Sequence, residues 1–143
     1  MNVGQILKRK GRDVLTTAPH HLLRDAAKAL GERRVGAVVV ADATGRVLGI
    51  LSERDIVRAI GAAGSDALTE AVSQHMTPNP TTVGEDTAID ELMQVMTTGR
   101  FRHLPVIEGE RLVGIVSIGD IVKHRVEQLH QERDSLREYI ASA

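Results

Sequence analysis

The sequence predicts an α/β fold of the α+β kind, in which one strand–helix–strand–strand–helix unit is written twice and ends in a long helix. Three observations predict it. Gly49 to Asp55 read GILSERD and Gly114 to Asp120 read GIVSIGD, so one Gly-h-h-Ser-x-x-Asp segment occurs twice. Each copy follows a short valine-rich run and a turn. Each leads into a segment of helical periodicity. An internal repeat constrains architecture strongly, because a single unit cannot bury its apolar face alone.

The elements follow in order. Val3 to Lys8 reads as a short leading helix, broken at Lys10-Gly11-Arg12, and Val14 to Thr17 as a short strand stopped by Pro19. His20 to Glu32 is helical, with Leu22, Ala26, Ala29 and Leu30 on one face. Gly36 to Ala41 is an apolar, valine-rich run too short for a helix. Asp42 to Gly45 is a turn, Val47 to Leu51 a strand and Ser52 to Ile60 a helix. Gly61 to Ser65 is a linker of small residues, and a short helix is expected near Asp66 to Gln74. The second copy repeats the order. Thr81 to Val83 reads as a strand. Thr87 to Thr98 reads as a helix with Ile89, Leu92, Met93 and Met96 inward, and Thr87 and Asp90 have capping-box spacing. Leu104 to Ile107 and Leu112 to Val116 flank an EGER turn, and a helix runs from Ile118 to about Ile140. The copies align at a spacing of 67 residues through helix and middle strand, then at 65 after a turn two residues longer in the first copy.

Composition bounds the function classes. The 143 residues suffice for two half-domains sharing a core. With one Phe, one Tyr and no Trp, the core must be aliphatic. Eighteen basic residues balance nineteen acidic ones, so no bulk attraction to nucleic acid or an anionic membrane is expected. Aromatic stacking platforms for nucleic acid are missing. The absence of cysteine excludes thiol catalysis and thiolate metal sites, and fits a reducing compartment. No apolar run reaches the roughly 20 residues of a membrane span, and the N-terminus lacks a signal peptide pattern. A cytoplasmic protein is the expectation. No Walker A loop, GxGxxG or GxSxG elbow occurs, and His20, His21, His124 and His130 lack metal-ligand spacing. An enzyme is not expected.

Each Ser-x-x-Asp pair, Ser52 with Asp55 and Ser117 with Asp120, suits a helix cap worth about 1 kcal/mol. The same geometry suits a ligand. A helix N-terminus favours phosphate, and a carboxylate there can accept both hydroxyls of a ribose.

The two Gly-h-h-Ser-x-x-Asp segments, RFRHLPVI at Arg100 to Ile107, its weaker counterpart RRVGAVVV at Arg33 to Val40, and HMTPNPTTV from His75 together resemble the cystathionine-β-synthase (CBS) domain family. The likeness runs from Val3 to about Arg125, and a tandem pair resembles a Bateman module. It implies a first repeat over 3–62, a linker helix over 63–74, a second repeat over 75–125 and a helical extension over 126–143. It also implies that the sheets of the two repeats pack together and leave two clefts for adenosyl ligands: AMP, ADP, ATP, NAD or S-adenosylmethionine.

Carried over by position, the resemblance assigns Asp120 and Ser117 to a first cleft, with Arg102 and His103 on phosphate and Lys10, Leu15, Val35 and Gly36 along the adenine side. A second cleft would use Asp55, Ser52 and Arg54, with Thr77, Thr82 and Arg102 opposite. Because Arg102-His103 matches Val35-Gly36 in that alignment, the Asp120 cleft is expected to suit a charged nucleotide better. The expected function is a regulatory module that signals to a partner protein, whose identity the sequence does not give. The alternative is a dimeric scaffold with vestigial clefts. Val122, Val126, Leu129, Leu136 and Ile140 form an apolar stripe interrupted at Arg133 that needs a partner surface, either the chain's own domain or a second copy; a homodimer is the expected assembly, with its orientation open.

Overall fold

β-Branched residues fill two central hairpins, and helices cover them. The computed structural model describes residues 1–142. The order is α1 (Val3–Lys10), β1 (Thr16–Thr17), α2 (Leu23–Arg33), β2 (Ala37–Ala41), β3 (Val47–Ser52) and α3 (Glu53–Ala63). After two 3₁₀ turns come β4 (Thr77–Pro78), α4 (Ile89–Gly99), β5 (His103–Glu108), β6 (Arg111–Ser117) and α5 (Ile118–Ser142). Antiparallel β2–β3 and β5–β6 carry the same bulge, at Val40/Ala41 and at Val106/Ile107.

This register corrects the alignment of the copies. Ala37 faces Ser52, and His103 faces Ser117. The second strands and the helices before them are therefore 66 residues apart, not 67, and the hairpin turn differs by one residue, not two. Arg102 corresponds to Gly36 and His103 to Ala37. A slip of one residue in a strand exchanges its two faces, so the expected comparison of Arg102-His103 with Val35-Gly36 does not stand.

The leading segments are exchanged between the halves. Val3, Ile6 and Leu7 of α1 lie in the core of the second half, with Leu92, Met96, Leu104, Val106 and Val116. Conversely, Ala67 and Val72 lie in the core of the first half, with Leu23, Leu30, Val38, Val40 and Leu51. The expected helix over 63–74 is instead two 3₁₀ turns, Gly64–Thr69 and Val72–Gln74, and α3 runs on to Ala63. Thr77–Pro78, rather than Thr81–Val83, forms the added strand, antiparallel to β3. Val83 keeps one parallel bridge to Val106, where β1 pairs in parallel with β2 in the first half.

The exchange also terminates helices. The expected Thr87 cap is absent: Ala88 occupies the N-cap of α4, and the Thr87 hydroxyl accepts from the Gly84 amide. The Ile89 amide donates to the Met1 carbonyl, and the Leu23 amide donates to the Glu70 carbonyl. Backbone from the exchanged segments thus satisfies donors that a helix start leaves open. Burial selects Leu23, Ala26 and Leu30 in α2, and Ile89, Leu92 and Met96 in α4, while Met93 is exposed.

The repeated glycine has a steric cause. A Cβ at Gly49 would lie 2.6 Å from the Met76 sulfur and 2.8 Å from the Thr77 carbonyl oxygen, and one at Gly114 would lie 2.7 Å from Leu7. Each glycine lets the exchanged segment lie against the strand. Gly49→Ala should therefore cost about 1–3 kcal/mol through overpacking. Gly31→Ala, in open space on α2, should stabilise by roughly 0.5–1 kcal/mol. Urea denaturation of both variants checks the contrast.

Candidate functional site

The strand–helix junctions hold the repeated carboxylates in matching geometry. At Ser52, the start of α3, the Asp55 amide donates to the Ser52 hydroxyl at 3.3 Å, and Asp55 Oδ2 accepts from the Ser52 amide at 2.8 Å and its hydroxyl at 3.1 Å. At the start of α5, the Asp120 amide donates to Ser117 Oγ at 3.2 Å, and Asp120 Oδ2 accepts from the Ser117 amide at 2.8 Å. Both are reciprocal caps, yet each carboxylate also faces a concavity.

The crevice beside Asp55 has a volume of about 240 Å³ and draws on both halves. Ser52, Glu53, Arg54 and Arg58 border it from the first half, and Thr77, Pro80, Thr81, Arg100, Phe101, Arg102 and His103 from the second. Asp55 Oδ1 is 3.7 Å from the Arg58 guanidinium, which is itself largely exposed. Four guanidinium groups stand here against the carboxylates of Glu53 and Asp55, so the lining carries net positive charge. Of the residues assigned to this side by sequence, Ser52, Arg54, Asp55, Thr77 and Arg102 are brought together. Thr82 is exposed, and its neighbour Thr81 takes the lining position, since adjacent residues of an extended segment point to opposite sides.

His103 and Gly36, expected with Asp120, line the Asp55 crevice instead, together with Arg102, which was assigned to both clefts. The His103 ring packs against Gly36, where a Cβ would lie 3.2 Å from Nε2. Burial pushes the His103 imidazolium pKa below the ordinary histidine value, and the nearby Lys10 charge pushes it further the same way. Asp120 and Glu53 oppose that shift. His103 therefore stands between the two carboxylate sites.

Asp120 lies in a different groove, of about 670 Å³, with Ile6, Arg9, Lys10, Lys123, His124 and Glu127. Its carboxylate is already engaged. Lys10 Nζ donates to Asp120 Oδ2 at 2.6 Å and to the Ile115 carbonyl at 2.8 Å. Arg9 and Glu127 form a second ion pair between α1 and α5. Lys10, expected along an adenine face, is instead bonded to the Asp120 carboxylate itself. Leu15 packs on the first core, and Val35 is exposed beside a shallow groove with Gly36 and Glu53. Sequence reasoning missed Glu53, Arg58, Thr81, Arg100 and Phe101. Arg100 and Phe101 stand beside Arg102 in the run already singled out, so the signal for them was present.

Two tandem halves, exchanged leading segments and a capped Asp at each strand–helix junction define a paired-repeat architecture with a crevice or groove beside each carboxylate. The CBS domain family profile matches residues 3–62 and 72–127, and the chain belongs to that family. It is similar to a CBS-domain-containing protein of Agrobacterium tumefaciens, with 49% identity, a TM-score of 0.84, and coverage of 87% of this chain and 99% of that one. It is also similar to a CBS domain pair solved with 5′-methylthioadenosine and S-adenosyl-L-methionine (25% identity, TM-score 0.81, 90% and 98% covered). A third likeness is to CBSX2 in complex with AMP (25%, TM-score 0.73, 88% and 96%). Among the described residues, no helix is long and apolar enough to cross a membrane, and no cluster of side chains suits a metal ion.

The histidine shift makes a testable statement. His103 titrates lower when folded than when unfolded, so unfolding takes up a proton between those values. Stability is complete above about pH 6.5 and declines as pH falls below it. NMR titration should place the His103 midpoint below that of free histidine, Lys10→Met should raise it, and His103→Asn should flatten part of the decline. A midpoint unmoved by Lys10→Met would contradict the geometry described.

Proposed function

We propose that this chain is a non-catalytic regulatory module that binds one adenine mononucleotide, of the AMP, ADP or ATP class, in the Asp55 crevice. One observation carries this reading: a half-buried, helix-capping carboxylate shares a crevice with four arginines drawn from both halves. The carboxylate suits ribose hydroxyls, and the guanidinium groups of Arg54, Arg100 and Arg102 suit phosphate. Net positive charge favours an anionic tail over the sulfonium of S-adenosylmethionine. The small volume favours a mononucleotide over NAD. The adenosyl ligands named for two structural neighbours support the ligand class.

On this reading the second carboxylate is held in reserve. The Lys10 ammonium satisfies Asp120 and the Ile115 carbonyl, so a nucleotide entering there must first displace an internal ion pair. The regulated partner reads the relative packing of the halves, because a ligand contacting both can favour one arrangement only by binding it more tightly. Cytoplasmic residence belongs to the same reading. A scaffold with vestigial clefts is the second reading, favoured by the occupied Asp120 alone.

Isothermal titration calorimetry with AMP, ADP, ATP, NAD and S-adenosylmethionine tests the proposal. The expected stoichiometry is one AMP per chain. A charge-assisted hydrogen bond contributes roughly 1.5–3 kcal/mol, so Asp55→Asn should weaken binding by about ten- to a hundredfold, while Asp120→Asn leaves it within a few-fold. Lys10→Met should open a second site. Heat from none of these ligands would favour the scaffold reading. Loss on Asp120→Asn without loss on Asp55→Asn would overturn the choice of crevice.

A further inference from the structure

The sequence places an expected subunit contact on the stripe of the final helix and leaves its direction open, and the geometry of α5 bears on that direction. Val122, Val126, Leu129, Arg133, Leu136 and Ile140 recur at alternating steps of four and three residues. That is the seam of a heptad, with Val126, Arg133 and Ile140 at a and Val122, Leu129 and Leu136 at d. The five apolar members are all exposed, Leu129 at 61% and Leu136 at 59%. The body of the protein does not use this seam, because α5 packs on it through Ile121 and His124, on the neighbouring face. Residues 126–142 span roughly 25 Å of helix, with apolar seam residues left to water.

We propose that α5 of one chain pairs with α5 of a second copy as a parallel, in-register, two-stranded coiled coil over Val126–Ser142. The occupant follows from the residues in the seam. β-Branched Val126 and Ile140 at a, with Leu129 and Leu136 at d, is the combination that favours two parallel strands. A lone charged residue at a, here Arg133, fixes register and strand number at a cost in stability.

Charge selects the direction. Glu132 falls at g and Arg137 at the following e, and neither forms an ion pair within the chain among the described residues. In a parallel coil g of one strand meets the next e of the other. Glu132 of each copy then meets Arg137 of its twin, twice by symmetry, and also flanks the twin's Arg133. An antiparallel coil would set His130 and Arg137 together along one edge and leave Glu132 unmatched. No residue of α5 lines the Asp55 crevice and the contact involves no ligand, so it stands or falls separately from nucleotide binding.

Sedimentation equilibrium of the full chain without nucleotide tests the proposal, and a dimer is expected at tens of micromolar. The L129D/L136D chain should be a monomer with unchanged circular dichroism, because both side chains are exposed in the single chain. Glu132→Arg should raise the dimer dissociation constant roughly tenfold, and adding Arg137→Glu should restore it. The natural chain has no cysteine, so the L129C chain reports direction cleanly and should oxidise to a crosslinked dimer. A monomeric natural chain, a dimer that survives L129D/L136D, a charge reversal without effect, or an L129C dimer that does not crosslink would each overturn the proposal.

Discussion

The seating of α1 on β6 is the contact on which the rest of the molecule depends. Leu7 is fully buried, and it can be so only because Gly114 presents no Cβ to it. A buried leucine contributes about 1.5–3 kcal/mol, and Val3 and Ile6 add to the same cluster. The helix is thereby fixed to the second half before the chain enters the first. Its last residue, Lys10, then reaches Asp120 and the Ile115 carbonyl. A steric fact about one glycine thus decides the electrostatic state of one carboxylate. The reciprocal seat, Met76 and Thr77 over Gly49, brings Thr77 and Thr81 to the crevice beside Asp55. Because each half lends a segment to the other, the two cannot separate without exposing both cores.

Much of this was legible in the chain. The repeated Gly-h-h-Ser-x-x-Asp marked both junctions, and the valine runs marked the hairpins, because local periodicity there coincides with burial. Three things were not legible, for distinct reasons. The register of Arg102 and His103 depended on one residue of turn length, and strand alternation converts that into a change of face. The start of α4 was misread at Thr87 because its first amide, that of Ile89, is satisfied by the Met1 carbonyl, a partner far away in sequence. The exchange of α1 and residues 64–74 left no local trace: their apolar positions announce burial without saying in which half. Of the crevice, the carboxylate and Arg54 could be read directly, whereas Arg58, Glu53 and Thr81 became visible only once the second half lay opposite the first.

The two junctions share a fold yet differ in chemistry, and the difference has a single source. Both carboxylates accept from their own serine amide, and both stand one turn into a helix. Lys10 engages only one of them. At the other, the segment following the Met76 contact supplies uncharged Thr77, Pro80 and Thr81, so Asp55 keeps an oxygen turned toward the Arg58 side of the crevice. Arginines from both halves then converge on a carboxylate whose own ion-pair partner, Arg58, is largely exposed and 3.7 Å away. The repeat supplies two equivalent carboxylates, and the exchanged segments make them unequal.

That inequality bears on how a ligand in one crevice reaches the other. His103 packs on Gly36 at the Asp55 crevice, and Lys10 and Asp120 both act on its charge. On the proposed reading, a phosphate held by Arg102 would place negative charge beside His103, acting with Asp120 and Glu53 and against burial and Lys10. Any coupling between the crevices would be reciprocal on that reading: a ligand that displaced Lys10 from Asp120 would change the affinity at Asp55 by the same factor. Since Lys10 is the end of α1, the Lys10–Asp120 and Arg9–Glu127 pairs together fasten that end to the helix that leaves the body of the protein.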